Sequence, residues 1–216
     1  MYMISLDWRR PSDGVEVVPA NTLLPDILGD AQLVRAKTDR KSLIPFRVKS
    51  LEDPMALRLV NARNIDALAS FTSRFGMPAP PDYKADREWM LVPLLESLRE
   101  ELEEGLQLTN ADEDSGRALW AERYLRNVSF YPAFEHSEDA KRQKLVFKPS
   151  SLADLMFCEV AFALEAGAKL RHCEHCGSVF LTGHLTGRRA SAVYCSDRCR
   201  VAALRAKNSA SAKPKR

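Results

Sequence analysis

Three features of this 216-residue sequence predict an α+β fold, with a mainly helical body and a small cysteine-rich module at the carboxyl end. Short apolar runs interrupted by prolines fill the first fifty residues, which is typical of strands and loops. Segments with apolar residues every three or four positions follow, and they indicate amphipathic helices. Four of the five cysteines then lie close together in the last quarter of the chain. We therefore divide the sequence into a strand and loop segment (1–50), a helical body (51–168), a cysteine module (169–208) and a disordered basic tail (209–216).

In the first segment, the apolar runs 3–6, 15–18 and 44–48 predict short strands. The first helix of the body is predicted to begin at Asn64, a good amino-terminal cap, and to end at Gly76. A longer helix is predicted over 85–108. It carries a leucine stripe, and its other face is rich in glutamates that we expect to be solvated. The stripe consists of Leu91, Leu95, Leu98, Leu102 and Leu106.

A short helix is predicted over 118–126, followed by strands at 128–131 and 145–148 that can pair as a hairpin. Ser151 and Asp154 then form the pattern of a capping box, so a further helix is expected to begin there and to stop at Gly167. Cys158 lies within this apolar helix, and we interpret it as a core residue.

The strongest functional signal is the spacing of the four clustered cysteines. Cys173 and Cys176 are separated by two residues, and Cys195 and Cys199 by three, with eighteen residues between the pairs. Such paired spacing is typical of structural zinc sites, because four thiolates complete a tetrahedral shell and leave no position for substrate. The sequence therefore predicts one structural zinc ion held by these four cysteines.

The residues around the cysteines predict a treble-clef zinc finger. Gly177 can adopt the positive φ of a knuckle turn, 178–181 and 192–194 are expected to pair as strands, and Ser196 can cap a helix to about residue 208. This helix would place the second cysteine pair at its amino end, where its dipole stabilises thiolates. The nearby histidines, His172, His175 and His184, are interpreted as surface residues or supports for the ligands.

Charge is distributed unevenly along the chain. The whole sequence carries a net charge of +3, but residues 169–216 contain eleven lysines and arginines against two acids, so this segment carries +9 and the rest −6. The basic side chains can contact phosphates, and nucleic acid is the predicted partner, DNA in preference to RNA. The predicted contacts are Arg188, Arg189, Arg198, Arg200, Arg205 and Lys207.

Two other interpretations remain open. The basic module can instead fold back on its own acidic body, or it can bind another protein through Val201 and Leu204, which lie on the outer side of the last helix. An enzyme is not expected, because the sequence has no phosphate-binding glycine loop, no nucleophile elbow and no His-Glu-x-x-His helix. A catalytic pair drawn from Asp66, Glu88 or Glu159 stays possible at this stage.

No segment contains the roughly 18 consecutive apolar residues that span a membrane, and the amino terminus lacks an apolar signal core. We therefore expect a cytoplasmic protein that does not bind membranes, in which clustered cysteines hold metal more readily than they form disulfides.

The segments CEHCGSVF and RRASAVYCSDRCR, with the basic alanine-rich helix that follows, resemble the carboxyl-terminal zinc finger of bacterial CGNR-type proteins. Where that family has Cys-Gly-Asn-Arg, this chain has Cys199, Arg200, Val201 and Ala202. The sequence is similar more broadly to bacterial treble-clef fingers with a Tyr-Cys-Ser signature. The resemblance covers about forty residues closely, and it implies DNA binding and transcription regulation.

Overall fold

The computed structural model describes residues 4–24, 30–78, 88–111, 114–136 and 143–211. Most of the predicted tail therefore lies outside the described residues, as do residues 85–87 of the predicted long helix. The strands are β1 (Ile4–Pro11), β2 (Val15–Pro19), β3 (Gln32–Ala36), β4 (Lys41–Val48), β5 (Trp89–Leu91), β6 (Phe130–His136), β7 (Gln143–Pro149), β8 (Lys169–His172) and β9 (Val179–Thr182). The helices are α1 (Met55–Val60), α2 (Ile65–Phe75), α3 (Val92–Gln107), α4 (Asp114–Tyr124), α5 (Leu152–Glu165) and α6 (Asp197–Ser211).

The strands form small antiparallel sheets, and the helices lie in separate stretches of the chain, which confirms the α+β class. β1 pairs with β4 along its whole length, from Ile4 opposite Val48 to Pro11 opposite Lys41. β3 lies between β2 and β5, and the pairs β6–β7 and β8–β9 complete the described sheets. In the described part of the chain, no helix is both long and apolar enough to cross a bilayer.

Local sequence signals correctly located two helices. Asn64 Oδ1 accepts a hydrogen bond from the Ala67 N–H at 2.8 Å and caps α2, which ends at Gly76. Ser151 Oγ accepts from the Asp154 N–H at 3.0 Å and caps α5. These residues satisfy backbone groups that have no partner inside the helix.

The predicted start of the long helix at residue 85 is wrong. α3 begins at Val92, and the three residues before it form β5, paired with β3. Pro93 explains the difference, because proline fits the first turn of a helix but its ring prevents the helix from extending further towards the amino end. The leucine stripe is otherwise confirmed, and Leu95, Leu98, Leu102 and Leu106 are buried.

α5 forms the centre of the core. Most of its residues are buried on every side, including Leu152, Leu155, Met156 and Val160. Cys158 is buried among them as predicted, and burial raises the pKa of its thiol to about 12. A helix that is apolar all round needs partners on every face, and here α1, α3 and α4 pack against it.

Glu159 is a buried carboxyl group on α5. Its Oε2 accepts a hydrogen bond from the Ala56 N–H at 2.9 Å, at the start of α1, where no side chain of α1 itself provides a cap. Burial raises its pKa to about 8, although hydrogen bonds from the Ala56 and Met55 amides act in the opposite direction. The described contacts of Glu159 therefore place it in a structural role, capping α1 from the neighbouring helix.

Glu159 should make stability depend on pH. Because its pKa is higher in the folded than in the unfolded chain, its contribution is complete below about pH 4.5 and is lost as the pH rises through about 8. We expect Glu159→Gln to gain on the order of 1–2 kcal/mol of unfolding free energy relative to wild type between pH 6 and pH 9. Urea unfolding at both pH values measures this, and a constant difference between the proteins would contradict it.

The β6–β7 hairpin, predicted from two short apolar runs, packs against β1 through ion pairs made by the buried Lys148. Lys148 Nζ lies 2.8 Å from Glu135 Oε1 and 3.2 Å from Asp7 Oδ2, and Ser5 Oγ donates to Glu135 at 2.9 Å. Lys148 is buried, and its hydrogen bond lowers the pKa of Glu135. Burial raises the pKa of Asp7, but hydrogen bonds from Arg47 and then Lys148 outweigh this effect and lower it. This network fixes which face of the hairpin points at the body.

Candidate metal centre

The four clustered cysteines come together from three local structures. Cys173 directly follows β8, and Cys176 lies in the turn between β8 and β9. Cys195 precedes α6, and Cys199 lies in its first turn. Gly177 has the predicted positive φ of 73°, and its N–H donates to the Cys173 carbonyl at 2.9 Å to close the turn. Ser196 Oγ accepts from the Cys199 N–H at 3.3 Å, which is the predicted cap.

The ligand atoms of all four cysteines lie within 4.8 Å of one another. The Sγ atoms of Cys176 and Cys195 are 3.6 Å apart, and those of Cys195 and Cys199 are 3.5 Å apart. A tetrahedral ion with metal–sulfur bonds of about 2.3 Å places its ligands roughly 3.8 Å apart. The cluster can therefore hold a metal ion without rearranging the chain.

Hydrogen bonds lower the pKa of two of the four thiols, Cys173 and Cys176. Burial raises the pKa of Cys173, but backbone N–H groups of Cys195, Cys176 and His175 outweigh this effect and bring it to about 6. Ser178 donates to Cys176 from its side chain and its backbone and lowers the pKa of that thiol. Thiolates are the form that binds metal.

Cys195 behaves in the opposite way. Burial, followed by hydrogen bonds with the other three thiols, raises its pKa to about 12. Four thiols this close cannot all ionise unless a cation neutralises the charge that accumulates. The histidines near the cluster are not part of it: His172, His175 and His184 are exposed, as the sequence predicted.

The predicted strand at 192–194 is wrong. β9 pairs with β8 instead, and the first two cysteines lie in the segment that connects these two strands. Residues 192–194 are irregular because their hydrogen bonding serves the knuckle, where the Glu174 N–H donates to the Val193 carbonyl at 3.0 Å. Gly183 and Arg188 form an isolated bridge that closes the loop after β9.

The β8–β9 pair belongs to the core of the body. Leu170, Val179 and Leu181 are buried in the same hydrophobic cluster as α5. Asn61, just after α1, accepts from the Val179 N–H at 2.8 Å and donates to the Val179 carbonyl at 2.9 Å. An amide side chain that pairs with both backbone groups of one residue acts like a neighbouring strand, and sequence reasoning missed this role because the partners are 118 residues apart.

Arg188 links the cluster to the body. Its guanidinium donates to the Cys195 carbonyl at 2.9 Å and 3.1 Å from two nitrogens, and to the Glu52 carbonyl at 2.7 Å. The same group lies 5.8 Å from the ring centroid of the buried Phe180. Several of its N–H donors thus bind backbone oxygens, which distinguishes Arg188 from the other predicted phosphate contacts.

The loop around Arg188 also docks on the body. The Leu185 carbonyl accepts from the Leu51 N–H at 2.7 Å, and Leu185 adopts a positive φ of 63°, which is unfavourable for a side chain of this kind. Gly187 follows with a φ of 65°, a conformation that glycine adopts without strain. The module therefore contacts the body near residues 51–61.

The remaining predicted phosphate contacts are exposed. Arg189, Arg198, Arg205 and Lys207 make no side-chain hydrogen bond or ion pair with any residue that the structure describes. Arg200 pairs with Asp197 at 3.1 Å, but its side chain remains largely exposed. Two of the glutamates of α3 have other partners, Arg63 for Glu103 and Tyr124 for Glu104, and none of the described glutamates of α3 pairs with a basic residue of α6. The basic residues of α6 are thus not neutralised by this acidic face.

α6 has little contact with the rest of the protein. No described side chain of this helix is buried, and Val201 and Leu204 are 39% and 59% exposed. Beside its first turn lies an open groove of about 820 Å³, lined by Arg188, Arg189 and Arg200 together with several hydroxyl groups. No known protein-family model matches the chain, and no curated protein matches it significantly.

Proposed function

We propose that this chain is a zinc-stabilised nucleic-acid-binding protein, and specifically a DNA-binding transcription regulator. The observation that carries the proposal is a set of four basic side chains that are exposed and make no described side-chain contact: Arg189 in the loop, Arg198 and Arg205 on one flank of α6, and Lys207 on its opposite flank. We call this set the basic face. The four cysteines hold the base of this surface in place. In this proposal their role is structural, and binding depends on the side chains that they position.

Zinc is the proposed metal, bound in a treble-clef finger. Four thiolates favour zinc over magnesium or calcium, which prefer oxygen ligands, and sulfur separations of 3.5 Å and 3.6 Å suit its tetrahedral shell. The knuckle turn, the closed loop and α6 follow one another in the order expected for a treble-clef finger. The difference is that β9 pairs with the preceding strand, β8, and not with a strand that follows it. A complete sulfur shell supports a structural ion without an open coordination position.

Nucleic acid is the proposed partner because the basic face is concentrated on an otherwise acidic protein. Residues 169–216 carry +9 while the remaining chain carries −6, so a polyanion is attracted to one end of the molecule. Arg189 extends the surface of α6 towards the groove lined by Arg188 and Arg200. Contacts of this kind are salt-sensitive and mostly independent of sequence.

The proposal is tested by fluorescence anisotropy with mixed-sequence duplex DNA, single-stranded DNA and single-stranded RNA, each at about 50 and 200 mM salt. We expect the tightest binding to duplex DNA. Substituting alanine for Arg198, Arg205 and Lys207 should weaken binding about 10- to 100-fold and reduce the salt slope by roughly 2 to 3.

The matched control removes three exposed basic residues outside the cysteine module, namely Lys37, Arg40 and Arg126. It has the same net charge as the test variant, so only the position of the charges differs. Equal losses in both variants, or no salt-sensitive binding by the wild type, would refute the proposal.

A protein-interaction module is the second candidate, and the exposure of Val201 and Leu204 favours it. If this function is correct, changing both residues to aspartate should abolish capture of a partner while metal content stays the same. Comparing this variant with the alanine triple variant separates the two functions, because the first removes apolar contacts and the second removes charge.

A further inference from the structure

One face of the β6–β7 hairpin is apolar and exposed. Side chains on a strand alternate between two faces, so Phe130, Pro132 and Phe134 share a face with the residues opposite them on β7. Pro132 lies opposite Phe147, and Phe134 lies opposite Leu145. We call the set Phe130, Pro132, Phe134, Leu145 and Phe147 the hairpin face.

The exposure of these side chains is large. Phe134 and Phe147 are 69% and 64% exposed, and Leu145 and Phe130 are 50% and 48% exposed. Taking roughly 200 Å² for a fully exposed aromatic side chain, the hairpin face offers about 500 Å² of apolar surface. Patches of this size on a monomer commonly mark an interaction site.

The hairpin cannot bury this face by turning over, because its opposite face is fixed. Lys148 and Glu135 belong to the other set of alternating positions. Lys148 pairs with Glu135 and with Asp7 on β1, and Glu135 accepts a hydrogen bond from Ser5 on β1. Turning the hairpin would break these contacts and leave the buried Lys148 without its partners. The exposed apolar face is therefore a stable feature of the fold.

We propose that the hairpin face binds a second copy of this chain in a two-fold symmetric dimer. In a two-fold symmetric dimer the same surface of each copy is buried, and a group near the axis meets its own copy. The five residues of the hairpin face carry no charge, so two copies can meet through them without burying an ion. Two such faces together bury about 1,000 Å², which is the lower limit for a specific interface and corresponds to a weak, reversible dimer.

Sedimentation equilibrium of the full chain from about 1 to 300 µM, without nucleic acid, tests the proposal in the range where a weak interface is populated. We expect a reversible monomer–dimer equilibrium. Phe134→Glu with Phe147→Glu should shift it to monomer over the whole range, since two-fold symmetry then places like charges together. Amides of β6 and β7 should also exchange more slowly with solvent as the wild-type concentration rises.

Leu119→Glu is the matched control, because Leu119 is 68% exposed but lies on α4, outside the hairpin face. This variant should dimerise like the wild type. Circular dichroism checks that the double variant is folded, which we expect because both phenylalanines are exposed. A wild type that stays monomeric at 300 µM, or a dimer that persists in the double variant, would overturn the proposal. Neither outcome depends on whether the chain binds nucleic acid.

Discussion

Removing the metal from the four-cysteine cluster should unfold α6 and the loop before it, while the body stays folded. The residues after β9 bury little surface of their own, and no described side chain of α6 is buried. Metal binding in structural zinc sites contributes on the order of 10 kcal/mol to folding. Without that contribution, a solvent-exposed helix of 15 residues is only marginally stable in water.

Chelation and Cys199→Ser should have the same effect. In both cases we expect helical circular dichroism to fall by the amount that α6 contributes and amide protection to be lost over residues 197–211. Protection in α5 and in β8–β9 should remain, because Leu170, Val179 and Leu181 are buried in the core of the body. Metal analysis of the purified chain should give one zinc ion per wild-type molecule and none for the variant.

Cys158→Ser provides the control for loss of a thiol. Cys158 is buried in α5 away from the cluster, so this variant should lose some stability but keep its metal. If α6 keeps its protection after chelation, the metal does not hold the helix in place. If the whole body unfolds instead, the module contributes more to the stability of the body than its few buried residues indicate.

Arg188→Ala should weaken metal binding about 10- to 100-fold and destabilise the module by about 3 kcal/mol. The side chain binds the carbonyl of Cys195, one of the four candidate metal ligands, and also the Glu52 carbonyl on the body. Its loss would leave these oxygens without their charged donor and would free the loop that carries the second cysteine pair. Competition with a chromophoric chelator measures the affinity, and thermal unfolding measures the stability.

Arg189→Ala is the matched control for this prediction. Arg189 is the next residue and removes the same charge, but it is exposed and makes no described side-chain contact. It should leave metal affinity unchanged and weaken only nucleic-acid binding. Arg188→Lys should recover little of the metal affinity, because a single ammonium group cannot donate to the Cys195 and Glu52 carbonyls at once as the planar guanidinium does. Equal metal affinities for the two alanine variants would contradict the role assigned to Arg188.

Sequence reasoning worked where the signal was local. The caps at Asn64 and Ser151, the glycine at the knuckle and the spacing within each cysteine pair depend on residues only a few positions apart. The same reasoning failed where a distant partner decides the structure. β8 pairs with β9 because the body buries both, and neither strand alone indicates that contact.

Arg188 shows the same limit for function. In the sequence, Arg188 is one of several neighbouring basic residues. Only the fold reveals that its guanidinium donates hydrogen bonds to the Cys195 and Glu52 carbonyls. Pro93, by contrast, was visible in the sequence, and its preference for the first turn of a helix indicates the true start of α3. The proposed binding surface is therefore smaller than the sequence suggested.

The placement of β8 and β9 in the core also determines how the cluster can assemble. Cys173 and Cys176 are presented by a strand pair that the body already holds, so an arriving ion meets two positioned thiols. Much of the eighteen-residue segment between the two pairs, namely β9 and the loop around Arg188, is held by the body, so Cys195 and Cys199 are kept near the first pair. In the proposed zinc site, binding of the ion to the first pair would thus be followed by an intramolecular step at the second pair.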